Sequence, residues 1–405
     1  MGNALLSNRG GGYATVKFEN YLPDAVPTRS IAMSLSQVRS GLAATTIGNY
    51  ALFGGGTSSG WSGGVTTVDA YNSSLTRSTA TELSQVRYDL AATTVGNYAL
   101  FAGGKNASSA FSNVDAYNTS LTKSTPTDLS QVRIWLAATS VGNYALFAGG
   151  LQYHTPEYNQ TAHYSTVDAY NSSLTRSTPT ALSEARSYLA ATTVGNYALF
   201  GGGYDGSSTF PNVDAYNSSL TRSTATELSQ VRYKLAATTV GNYALFGGGV
   251  NANYLSTVDA YNSSLTRSTP TALSQVRYKL AATTVGNYAL FGGGYDGSST
   301  FPNVDAYNSS LTRSIATELS QGRYELAATT VGNYALFGGG YGGNYLSAVD
   351  AYENVVANMQ ATVFKGSKYK FQNMSSETTV SSDIETISIP TPATGYIKFK
   401  NATIS

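Results

Sequence analysis

Residues 90–104 read Leu90-Ala91-Ala92-Thr93-Thr94-Val95-Gly96-Asn97-Tyr98-Ala99-Leu100-Phe101-Ala102-Gly103-Gly104, and residues 114–118 read Val114-Asp115-Ala116-Tyr117-Asn118. Two β-compatible runs separated by Gly-Asn predict a tight hairpin. The second block predicts a third short strand, and Leu121-Thr122-Lys123-Ser124-Thr125 a fourth. The unit then recurs. Val-Asp-Ala-Tyr begins at Val68, Val114, Val167, Val213, Val258, Val304 and Val349. Gly-Asn-Tyr begins at Gly48 and six further glycines, spaced by 48, 46, 53, 46, 45 and 46 residues. A period in this range means a repeat architecture whose units bury their faces against one another.

Strand chemistry is graded within each unit. The first strand is Ala/Thr-rich, the second carries Tyr, Leu and Phe, and the fourth is polar. That gradient fits a wedge with small residues at a crowded axis and polar ones at a rim. The fourth-strand motif Thr-Arg-Ser (once Thr-Lys-Ser) follows only six of the seven units, at Arg77, Lys123, Arg176, Arg222, Arg267 and Arg313. The missing copy lies at the front of the chain, Thr28-Arg29-Ser30, ten residues before Arg39 just as Arg77 precedes Arg87. A ring closed this way leaves only short, protected edges. The expected fold is therefore all-β: a seven-bladed β-propeller of four-stranded antiparallel blades, closed by an N-terminal outer strand, with a small C-terminal β segment.

The sequence resembles kelch-repeat propellers of the bacterial and phage type. The resemblance rests on the glycine clusters Gly54-Gly55-Gly56 and Gly201-Gly202-Gly203, on Tyr71 and Tyr216 ending the third strands, and on Arg39 and Arg87 opening the first strands. It covers roughly residues 25–357. Where the family pattern has a Trp a few residues after the Tyr, this chain has Leu75, Leu121, Leu174 and Leu220. The expected division is an N-terminal arm at 1–24, the propeller at 25–357 and a C-terminal β module or tail at 358–405.

The differences between copies are concentrated on one face. The first-to-second-strand turn is always Gly-Asn, and the third-to-fourth turn is Asn-Ser-Ser or Asn-Thr-Ser in six units. The loops between second and third strands vary, from one holding Trp61 to a long insert holding Tyr153, His154, Tyr158 and His163. The pair after each first-strand arginine varies as well: Ser40-Gly41, Tyr88-Asp89, Ile134-Trp135, Ser187-Tyr188, Tyr233-Lys234, Tyr278-Lys279 and Tyr324-Glu325. Variable aromatic loops on a fixed scaffold are where binding resides. The predicted ligand-contacting residues are Trp61, Tyr88, Trp135, Tyr153, His154, Tyr158, Tyr188, Tyr204, Tyr233, Tyr254, Tyr278, Tyr295, Tyr324 and Tyr345. The arginines and the Val-Asp-Ala-Tyr aspartates occur in every unit and read as structural.

Composition narrows the chemistry. Charged residues make up 12% of the chain and the formal net charge is +1. That is not the concentrated basic surface nucleic acid requires. The absence of cysteine and the presence of only two histidines remove thiolate chemistry and argue against a metal site or cofactor. No apolar run approaches the ~20 residues of a membrane span, and residues 1–12 do not read as a secretory signal.

The expected role is a non-enzymatic binding protein of a phage tail or virion surface. Its partners would be a cell-surface glycan or protein, and other virion or surface-assembly proteins reached through the terminal segments. Its location would be a virion or extracellular surface, otherwise the cytoplasm. The alternatives are a bacterial surface adhesin or scaffold, and a carbohydrate-acting enzyme of epimerase or mutarotase type using loop carboxylates such as Glu157, Asp205 and Asp296.

Overall fold

The computed structural model describes residues 5–9, 13–21, 26–60, 64–153, 161–354, 359–371, 374–389 and 393–400. Contacts divide the chain into two units, Val26–Asn354 and the two ends together, Met1–Ala25 with Val355–Ser405.

The larger unit is seven four-stranded antiparallel sheets. In the second blade, Ala91–Val95 pairs with Tyr98–Ala102, which pairs with Val114–Asn118, which pairs with Lys123–Ser124. The innermost strands pack on one another in order, and Ala327–Val331 of the seventh blade packs on Ala43–Ile47 of the first. The ring is closed. Its seventh blade takes its outer strand, Thr28–Ile31, from the N-terminal side, with Arg29 opposite Tyr352. The displaced motif seen in the sequence is that strand.

The core lies between blades, because each sheet buries both faces against its neighbours. Ala327, Val331, Leu336 and Ala351 of the seventh blade pack with Ala51, Phe53 and Tyr71 of the first. Within each blade, the second-strand Phe meets the third-strand Tyr edge-to-face, as in Phe101–Tyr117 at 5.8 Å. One difference from the sequence reading concerns Leu121. It was expected to open the fourth strand; instead it holds a φ of 59° in the turn, and its amide donates to the Asn118 carbonyl at 2.9 Å. The Asn118 side chain also accepts from the amides of Ser120 and Thr122 at 3.0 Å each. The asparagine thus fixes the turn, and the leucine bears an otherwise unfavourable left-handed conformation.

Every first-strand arginine is fully buried. Arg277 donates from Nη2 to Asp305 Oδ2 at 2.6 Å and to the Phe291 carbonyl at 3.0 Å, and from Nη1 to the carbonyls of Gly293 and Asn303. Asp305 also accepts from Arg313 at 2.9 Å and from the Ser274 amide and hydroxyl at 3.0 Å each. The arginine backbone ties two blades together. Gly56 N donates to the Arg87 carbonyl at 3.0 Å, and the series runs round to Gly340 N on the Arg39 carbonyl at 2.8 Å. Gly55, at φ 68°, sits so close that a Cβ would lie 2.5 Å from the Arg87 carbonyl, so only glycine fits.

The terminal unit joins both ends of the chain. Tyr13–Tyr21 pairs with Leu5–Arg9 on one side and with Ala393–Lys400 on the other, Val16 opposite Ile397. Its core comprises Val363, Phe371, Val380, Ile387 and Ile397. No helix among the described residues is long and apolar enough to cross a membrane.

Breaking one buried pair tests the scaffold. Asp305→Ala leaves Arg277 charged, buried and unpaired, and is expected to destabilise the protein by ~3–5 kcal/mol. The double replacement Arg277→Met with Asp305→Leu is expected to lose less. Urea denaturation of both variants decides; a midpoint unchanged in Asp305→Ala would refute the role given to the pair.

Candidate functional site

The residue two positions after each buried arginine has the same unusual backbone in all seven blades. Gly41, Asp89, Trp135, Tyr188, Lys234, Lys279 and Glu325 have φ between 51° and 62°. Their backbones form a closed hydrogen-bonded ring: Asp89 N donates to Gly41 O, Trp135 N to Asp89 O, and so on to Gly41 N on Glu325 O, at 2.9–3.2 Å. Six of the seven are not glycine. Each bears a left-handed strain of ~1–2 kcal/mol, and side chains held in such conformations cluster at functional sites.

This neck divides the axial channel. Outside it lies a cavity of about 360 Å³ lined by Ser40, Gly41, Thr57, Gly60, Tyr88, Asp89, Trp135, Tyr153, Tyr188, Lys234, Lys279, Tyr324, Glu325 and Tyr345. Inside it, the adjoining space of about 300 Å³ is walled by the leucine that follows each neck residue, Leu42 through Leu326. Further along the first strands, alanines and threonines line a third cavity of about 370 Å³, with no charged residue among the lining.

The predicted aromatic residues fall into three groups. Tyr88, Trp135, Tyr153, Tyr188, Tyr324 and Tyr345 line the outer cavity. Tyr204, Tyr233, Tyr254, Tyr278 and Tyr295 form a belt of stacked pairs bridging neighbouring blades. Tyr204 stacks on Tyr233 at 5.1 Å, Tyr254 on Tyr278 at 5.3 Å and Tyr295 on Tyr324 at 5.0 Å. Trp61, His154 and Tyr158 lie outside the described residues, as does Glu157. Trp135 anchors the cavity wall, stacked on Tyr188 at 4.1 Å and edge-on to Tyr153 at 5.0 Å. Tyr88 is almost fully buried, and its ring forms wall rather than a projecting contact.

The charged members of the site were not among the predicted contacts. Lys279 Nζ lies 2.5 Å from Glu325 Oε1. Lys105, from the second blade's variable loop, reaches to 3.9 Å from Asp89 Oδ2 and lies over the rings of Tyr88, Trp135 and Tyr153. Burial, then the charge of Glu325, raises the Asp89 carboxyl to about 6, although Lys105, a hydrogen bond from Trp135 and Lys279 pull the other way. Burial lowers the Lys234 ammonium to about 8, and neighbouring Lys279 adds to the shift. Asp205 and Asp296 do not join the cavity. Each caps its own loop, accepting from the amides two and three residues on. Among the described residues no group of metal-ligating side chains gathers.

The sequence carried one usable signal for the missed residues. In the variable pair after each arginine, the second member ranges over Gly, Asp, Trp, Tyr, Lys and Glu. It is this member, and not the more uniform aromatic first member, that the left-handed φ turns towards the axis.

The class the architecture defines is an all-β, propeller-like ring of seven four-stranded sheets. No family model matches the chain, and no curated protein matches it. Solved structures do share the fold. Among them is the structure of YjhT, with a TM-score of 0.52 at 11% identity, covering 80% of this chain and 100% of that one. At that identity the likeness concerns the fold alone.

The Asp89 environment has a measurable consequence. A carboxyl pKa raised on folding favours the folded state while the group is protonated; that contribution is full below about pH 4 and fades as pH climbs through 6. Because Trp135 shares the cavity wall with this carboxyl, its fluorescence is expected to titrate with a midpoint near pH 6 and to lose that transition in Asp89→Asn. A flat profile in the parent protein would contradict the assigned environment.

Proposed function

We propose that the chain is a kelch-type propeller acting as a non-enzymatic binding protein on a phage tail or virion surface, and that its outer axial cavity takes a sugar unit of a host cell-surface glycan. One observation carries this reading: the second members of the variable pairs, from Gly41 to Glu325, converge on one cavity on the face where the repeats differ. Its volume falls in the range of small-ligand sites. Its walls offer aromatic faces at Trp135, Tyr188 and Tyr324 for the apolar faces of a sugar ring, and charged groups at Asp89, Lys234, Lys279 and Glu325 for hydroxyl groups. The kelch reading is supported by the arginine, the glycine cluster and the third-strand tyrosine meeting at each blade junction. The separate terminal unit, which joins both chain ends, is assigned to attachment to the particle.

A second reading draws on a specific feature. Asp89 and Glu325 face the same cavity, and Asp89 holds its proton to about pH 6. A carboxyl pair of that kind suits acid–base chemistry on a sugar, the enzyme alternative. A bacterial surface adhesin remains the other rival, and mass spectrometry of purified virions separates it: absence of the chain from particles would remove the virion assignment.

A glycan array followed by calorimetry tests the binding site itself. Trp135→Ala is expected to weaken binding of any array hit by at least ~10-fold, about 1.4 kcal/mol, with the circular dichroism spectrum unchanged. Binding unaffected by Trp135→Ala would move the site elsewhere. Chemical conversion of the bound sugar, abolished in Asp89→Asn, would replace the binding reading with the enzymatic one.

A further inference from the structure

With Lys105 beside it, the outer cavity gathers three lysines around two carboxylates. Lys234 and Lys279 line it together with Asp89 and Glu325, and Lys105 stands beside Asp89. The pairing is specific. Lys279 is held by Glu325 at 2.5 Å, and Lys105 lies 3.9 Å from Asp89. Lys234 differs from both. Among the described residues its side chain makes no ion pair and no hydrogen bond; its ammonium lies over the rings of Tyr188 at 4.6 Å, Tyr233 at 5.3 Å and Tyr278 at 5.8 Å. Aromatic faces attract a cation, yet they leave its three N–H donors without a strong acceptor. The residue is half-buried. It borders both the outer cavity and the leucine-walled space behind the neck. Its left-handed backbone is what brings it there.

We infer that Lys234 is an anion-recognition site, so that the ligand of this cavity carries a carboxylate, sulfate or phosphate group that docks on its ammonium while the rest of the ligand lies against the neighbouring aromatic faces. This deepens the reading of the cavity as the ligand site and rests on it. The geometry is that of a charge waiting for a partner: two of three lysines are already answered by carboxylates, and the third is surrounded by phenol rings. The groups whose charge or burial acts on Lys234 are Tyr188, Tyr233, Tyr278, Lys279, Glu325 and Asp89. Burial and Lys279 favour its neutral form more than Glu325 and Asp89 favour the ammonium. An arriving anion reverses that balance. Binding near pH 8 is therefore accompanied by proton uptake, and affinity falls as pH rises through 8.

The test uses the full chain with glucuronate, glucose and inorganic sulfate as probes, read by Trp135 fluorescence and by calorimetry at pH 8 in two buffers of different ionisation enthalpy. Glucuronate is expected to bind at least ~10-fold more tightly than glucose, the size of a charge-assisted hydrogen bond, and to take up a proton. Lys234→Met is expected to remove that advantage and the proton uptake, whereas Lys234→Arg retains the preference. Equal affinity for glucuronate and glucose in both the parent protein and Lys234→Met overturns the anion site and leaves glycan binding standing. Sulfate binding that depends on Lys234, with neither sugar bound, upholds the anion site and removes the glycan reading. Binding of none of the three probes overturns the anion assignment.

Discussion

The buried arginine–aspartate pair is the interaction on which the rest of this structure depends. In each blade the guanidinium bonds the carbonyl of the second-strand Phe and the aspartate of the third strand, while the same residue's backbone carbonyl receives a glycine amide from the preceding blade. One residue therefore fixes both the inside of a blade and its junction with the next. A charge buried this deeply is tolerable only when an opposite charge accompanies it. The aspartate, with a second cation from the outer strand and a serine from the loop, supplies that pairing. In the seventh blade the second cation is Arg29, 2.9 Å from Asp350, so the N-terminal strand closes the charge network as well as the ring.

What this scaffold holds in place is the neck. Two residues beyond each arginine the chain turns into the left-handed region, and the seven backbones bond head to tail around the axis. Gly41 shows that the position accepts glycine, the residue that adopts this conformation without strain. Asp, Trp, Tyr, two Lys and Glu occupy the other six, and together they present five kinds of side chain to the cavity. On the binding reading proposed above, strain is carried there for what the side chains offer, and a preformed ring lowers the cost of ordering the site.

Much of the scaffold was legible from the chain. The repeat spacing gave the blades, the displaced Thr28-Arg29-Ser30 gave the closure, and constancy of the arginine and aspartate marked them as structural. The site was only half legible. Aromatic residues beside the arginines point to the face that carries the cavity, but which member of each pair turns inward depends on a φ that non-glycine residues seldom adopt. Asp89, Lys234, Lys279 and Glu325 escape the aromatic pattern for that reason, and the left-handed φ of Leu121 likewise keeps it out of the fourth strand. The pairing of Tyr13–Tyr21 with Ala393–Lys400 joins segments nearly the whole chain apart, and the likeness of Tyr13-Ala14-Thr15-Val16-Lys17-Phe18 to Tyr396-Ile397-Lys398-Phe399 already makes them candidates to pair.

The central claim is that the neck is a preformed part of the scaffold and not a set of mobile loops. Hydrogen exchange of the seven neck amides in the ligand-free protein tests it most directly. If the backbone ring is intact, the amides of Gly41, Asp89, Trp135, Tyr188, Lys234, Lys279 and Glu325 exchange as slowly as those of the second strands, by global unfolding. Exchange as fast as in the exposed turns would show that the ring opens freely and that the cavity is not built before a ligand arrives.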